Sequence, residues 1–203
     1  MNAGVVNAAV KRALIFFLAS SLLACGSDEE ASSSSSGGSD DDERPSAATS
    51  FEPIAGGIGW NAEEPFVYGR PSNAMRDAQY SVRDQQGVVL IVSHFDMDVG
   101  GGGDVMENVR RWTGQFDEDG RVASTPEERV INDLEVTRVD VSGTFIGRMG
   151  LGPSGGSRPN WRMMGAIVEG PQGLVFFKLI GPAAGVEVAQ EAFEQLVLSI
   201  HPA

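Results

Sequence analysis

The stretch Met163-Met164-Gly165-Ala166-Ile167-Val168, then Glu169-Gly170-Pro171-Gln172-Gly173, then Leu174-Val175-Phe176-Phe177-Lys178-Leu179-Ile180 decides the fold. Two apolar runs flank a Gly/Pro turn, which is the pattern of a β-hairpin. In the second run Val175, Phe177 and Leu179 share one strand face, while Leu174, Phe176 and Ile180 share the other. A strand that is apolar on both sides needs cover on both sides.

Upstream, Val88–Phe95 opens with Val88-Val89-Leu90-Ile91-Val92, another strand of the doubly covered kind. Met75–Arg83 alternates Ala78, Tyr80 and Val82 with polar neighbours, and Asp84-Gln85-Gln86-Gly87 reads as the turn between the two strands. Gly100–Gly103 breaks the pattern, and Asp104 then opens a helix carrying Val105, Val109, Trp112 and Phe116 on one face. Asp104 and Glu107 hold the N-cap and N3 positions of a capping box. Leu134–Ile146 reads as a long strand bent near Gly143, and Arg148–Pro159 as a loop. Val186–Ser199 reads as the last helix, with Val186, Ala189, Phe193, Leu196 and Ile200 in one stripe. The order β-β-α-β-β-β-α predicts an α+β fold, an antiparallel sheet sandwiched between helices.

The N-terminus has a different character. Lys11 and Arg12 precede the apolar run Ala13–Leu23, and Leu22-Leu23-Ala24-Cys25 follows the cleavage pattern of lipoprotein precursors. The run is shorter than the roughly 20 residues that span a bilayer, so residues 1–24 are expected to be a cleaved signal peptide. Cys25, the one cysteine of the chain, is then the expected lipidation site, where several acyl chains such as palmitate would anchor the protein stably. Residues 26–50 are rich in Ser, Gly and acids and lack large apolar side chains, as a disordered tether does. Residues 51–203 are left as a single globular domain. The expected location is the periplasmic or extracellular side of a bacterial envelope, with the membrane as partner through the lipid.

The chain carries a net charge of −13, which argues against nucleic acid and against peripheral binding to anionic lipid. Lys178 is the sole lysine beyond the signal region.

Gly100-Gly101-Gly102-Gly103-Asp104 running into Asn108–Phe116, and Phe176–Pro182 ahead of a C-terminal helix, resemble motifs of uncharacterised bacterial lipoproteins. The element order is similar to the PsbP fold, and the resemblance covers about Trp60–Ala203. It implies an α/β/α sandwich that docks to, or stabilises, another assembly. It implies no catalytic residues.

The stretch with most chemistry is Asp96–Glu107. Counted as a calcium loop, Asp96, Asp98, Asp104 and Glu107 stand at the first, third, ninth and twelfth positions, with Gly101 at the sixth. Against this, Gly100 occupies a position where a carboxylate is usual, and Asp104 and Glu107 suit helix capping. His94, Asp96 and Asp98 share a strand face and suggest zinc, although His201 is the one other histidine. No Gly-Lys-Ser/Thr follows the glycines, and there is no Gly-x-Ser-x-Gly elbow. Trp112 belongs to an apolar helix stripe and reads as core. Trp60 and Trp161 flank Gly-rich segments and, with Arg158, are candidate partner anchors. Arg148, Arg158 and Arg162 suggest a basic rim. The expected role is a non-enzymatic binding or accessory module without a cofactor; binding of a metal ion or small ligand at Asp96–Glu107 is the alternative.

Overall fold

Alternation along the central strands sends successive side chains into two separate cores. The computed structural model describes residues 53–147 and 156–203, all within the compact unit Ala48–Ala203. The expected signal peptide, Cys25, the tether and Arg148 lie outside the described residues.

The strands begin with β1 (Ile54–Ala55), β2 (Ile58–Gly59), β3 (Phe66–Gly69), β4 (Ala78–Val82) and β5 (Gln85–Asp96). Helix α1 (Val105–Thr113) precedes β6 (Val122–Ala123), β7 (Glu127–Ile131), β8 (Leu134–Phe145), β9 (Arg158–Gly170) and β10 (Gly173–Pro182). Helices α2 (Ala183–Val188) and α3 (Gln190–Leu198) and strand β11 (His201–Pro202) close the chain. The main sheet has eight strands in the order β3-β4-β5-β10-β9-β8-β6, with β7 also paired to β8. Every pairing in it is antiparallel. A second sheet of three strands, β1-β2-β11, is also antiparallel.

The hairpin β9–β10 sits where its sequence places it, with Gly170 opposite Gly173 across Pro171-Gln172. Leu90, Val175, Phe177 and Leu179 join one core with Trp60, Phe193, Leu196 and Ile200. Val89, Met163, Phe176 and Ile180 join the other with Val109, Trp112 and Phe116. Each such side chain contributes about 1.5–3 kcal/mol by leaving water. The domain is thus a mostly antiparallel sheet with few helices: α1 on one face, α2 and α3 on the other. The helices are short, at most nine residues, and leave parts of both faces to strands and loops. Among the described residues no helix is long and apolar enough to cross a membrane.

Several elements differ from the sequence reading. The turn after β4 is Arg83-Asp84, with Asp84 at φ 58°, rather than Asp84–Gly87. An aspartate tolerates that left-handed conformation, so Val82 pairs directly with Gln85, and Gly87 falls in a bulge where the register shifts. The expected loop 148–159 ends early, because β9 already begins at Arg158. The last helix starts at Ala183 and is interrupted at buried Ala189. A Cβ at Gly185 would stand 2.6 Å from Val88 Cγ2, so this first segment lies hard against β5, and the axis must break before α3 can follow the sheet. Strands β3 and β7 carry mainly exposed side chains and so give no core-facing pattern.

Candidate functional site

The glycine turn between β5 and α1 is tied to backbone rather than open to a ligand. Asp96 accepts from the Asp98 N–H at 2.8 Å, capping a single 3-10 turn. Asp104 accepts from the Glu107 N–H at 2.8 Å and caps α1. Gly100, Gly101, Gly102 and Gly103 all have positive φ, between 60° and 98°, a path closed to most side chains. Buried Asn108 donates to Gly102 O at 2.8 Å and Asp104 O at 2.9 Å, and Leu174 N donates to Gly101 O at 3.1 Å. Among the described residues no three His, Cys, Asp or Glu side chains converge to hold a metal ion. Of the four carboxylates expected to hold calcium, Asp96, Asp98, Asp104 and Glu107, two cap separate turns. The His94 N–H donates to Asp77 at 2.7 Å and its ring Nε2 lies 3.2 Å from Gln172 O.

Trp60, a candidate anchor, lies in the interior. Its side chain is fully buried, edge-on to Phe177 with ring centres 5.1 Å apart. The indole N–H donates to Tyr80 Oη at 3.2 Å, and burial raises the Tyr80 pKa against the opposing effect of that bond. Trp60 therefore belongs to the core and backs the wall of a groove shared with Phe66, Tyr68 and Tyr80.

Lys178 joins the chemistry although its sequence context marks it only as a strand residue. In register it lies between Ile91 and Gly165. Gly165 is where Trp112 presses on the sheet: a Cβ there would be 2.3 Å from Trp112 Cζ3. The Lys178 Nζ donates to Gln115 Oε1 at 2.5 Å and lies 5.4 Å from the Trp112 ring centre. The residue keeps some exposure, yet its ammonium is nearly enclosed. That enclosure, helped by nearby Arg111, lowers its pKa to about 8.

Trp161 and Arg158 do come together. Trp161 stacks on Phe145, with ring centres 5.4 Å apart and planes 19° from parallel. The Arg158 guanidinium carbon lies 4.9 Å from the Trp161 centre and 6.0 Å from that of Phe145. Both Arg158 and Trp161 are half-buried. Such stacking holds a guanidinium plane while leaving its N–H edge available. Among the described residues Arg158 forms no ion pair, whereas Arg162 is bound by Asp140 through contacts of 3.0 and 2.5 Å. That bond raises the Arg162 pKa. Trp161 and Arg162 point to opposite faces, and the register shift between Gly143 and Phe145, with Asn160 at φ 57°, brings Arg158 to the Trp161 side. The expected basic rim therefore narrows to Arg158, with Arg148 outside the described residues.

Beside this ledge runs a groove of about 400 Å³ lined by Gln79, Ser81, Gly87, Val88, Val89, Arg158 and Trp161. Three grooves are larger: one of about 580 Å³ is walled by Trp60, Phe66, Tyr68 and Tyr80, and two carry mostly like charges on their polar rims. One, of about 460 Å³, is lined by Glu63, Glu64 and Glu191. Another, of about 520 Å³, holds Asp104, Glu128, Glu135 and Glu169. Burial, and then Glu135 and Glu128, raise the Glu169 pKa there.

No protein-family model matches the chain, and comparison with curated proteins likewise finds no match. Among solved structures it is similar to the solution structure of cyanobacterial PsbP (CyanoP) from Synechocystis sp., with a TM-score of 0.48 and 12% identity over 73% of this chain and 88% of that one.

Proposed function

We propose that the protein is a membrane-anchored lipoprotein of the bacterial envelope whose domain, residues 51–203, is a non-enzymatic binding or accessory module working through the Arg158–Trp161 ledge. The observation that carries this reading is an aromatic pair with an arginine stacked on it, half-exposed, without an ion pair among the described residues and bordering an apolar groove. Tryptophan and arginine dominate the energetics of recognition surfaces. The groove's chemistry is that of recognition, not of a nucleophile beside a base. The lipid reading rests on the Leu22–Cys25 pattern. In fold terms the reading is a thin PsbP-like helix–sheet–helix layering, with α1 and the α2–α3 pair as its outer layers.

Two measurements test the proposal. Cys25→Ser should abolish incorporation of labelled fatty acid; undiminished labelling would end the lipoprotein reading. A photoreactive side chain at position 161, in intact membranes, should crosslink a partner or ligand that one on the opposite face, at position 191, does not reach. Equal yields from both positions would count against the ledge.

A further inference from the structure

We infer that the groove beside Arg158 and Trp161 takes a small amphipathic monoanion: an apolar body, flat enough to lie on Trp161, ending in one carboxylate. The inference rests on the ledge being the binding surface and names its occupant. Size comes first. About 400 Å³ lies within the roughly 300–1,000 Å³ of small-molecule sites. A folded partner would need about 800 Å² of its own surface in contact.

The lining then sets the chemistry. Val88, Val89 and the Trp161 ring offer apolar contact. Arg158 offers the charge, its plane already set by Trp161 and Phe145 and its fork suited to a carboxylate. Gln79 adds a donor: Arg76 Nη1 holds its carbonyl oxygen at 2.6 Å, which directs the amide NH₂ elsewhere. The protein's own charge decides how many negative charges the occupant carries. A polyanion meets the field of a molecule with net charge −13. A single carboxylate at the ledge meets Arg158 first, and charges beyond the screening length of about 8 Å are damped.

The full chain is titrated by calorimetry with three ligands sharing one flat body: naphthoate, naphthylmethanol and naphthylmethylamine. Naphthoate should bind about tenfold or more tighter than the alcohol, the worth of one charge-assisted hydrogen bond, and the amine should bind weakest. Arg158→Gln should bring naphthoate down to the alcohol's affinity. Trp161→Phe should weaken acid and alcohol together, with an unchanged melting temperature confirming the fold. Arg83→Gln, which breaks a surface ion pair elsewhere, should change nothing. Equal binding of acid and amine, absence of binding by all three, or a preference for acid that survives Arg158→Gln would each overturn the inference. If position 161 still crosslinks a protein that naphthoate does not displace, the occupant is wrong while the binding surface stands. Loss of that crosslink as well removes both.

Discussion

Lys178 brings a charge into a place shaped for apolar packing, and the folded state is strained by it. The amine has its pKa lowered from 10.5 to about 8, which corresponds to about 3 kcal/mol acting against folding while the amine is charged. Below pH 8 both folded and unfolded states hold the proton, so the penalty is fully present. Between about 8 and 10.5 the folded state loses the proton first, and stability climbs. Lys178→Met should therefore raise stability by about 1–3 kcal/mol at neutral pH, and the difference from wild type should shrink as pH rises to 10. Urea melts at a series of pH values measure this; a destabilised variant would show that the bond to Gln115 outweighs burial. At the neighbouring position Gly165→Ala should destabilise by about 1–3 kcal/mol, since its methyl would enter the Trp112 ring. Neither residue announces itself in the sequence. A lysine between Phe177 and Leu179 reads as the polar beat of a strand, and a glycine inside the run Met163–Val168 gives no sign of which ring it faces.

The elements were legible in proportion to how much core they face. The β9–β10 hairpin, β5 and α1 carry periodic apolar residues, and their positions follow from that period. Strands β3 and β7 lie at or near sheet edges with exposed side chains, so their pairing is written in backbone and turns: Asn132-Asp133, both at positive φ, joins β7 to β8. The glycine turn was legible as a strand-to-helix junction, but sequence spacing could not tell carboxylates that cap from carboxylates that converge. The site divided likewise: Arg158 and Trp161 were visible by residue type, while the burial of Trp60 depends on strands β2 and β11, too short to show a period. At this scale Asp104→Ala should cost about 1 kcal/mol through loss of the α1 cap. Millimolar calcium should leave the wild-type melting temperature unchanged; a rise on adding calcium would reinstate the cation reading.

Among the described residues, several cations find different partners on the two faces of the sheet. On the side of α2 and α3, arginines are answered by acids: Arg162 by Asp140, and Arg138 by Glu194 at 3.7 Å. On the side of α1, Arg158 and Lys178 rest against aromatic rings instead. Arg158, half-exposed on its rings, stays available to an outside anion, whereas Lys178 is enclosed and Arg162 is held by a carboxylate. Binding of naphthoate should accordingly weaken as ionic strength rises, while that of naphthylmethanol should hardly change.

Strand β11 lies against β2, and the Ala203 N–H donates to Gly57 O at 3.0 Å. Ala203 thus lies beside the turn between β1 and β2, close to the first described strand. Circular permutation should then be tolerated: a short linker from Ala203 to Pro53, with new ends cut at the Asn132-Asp133 turn, should give a protein with the same near-ultraviolet dichroism.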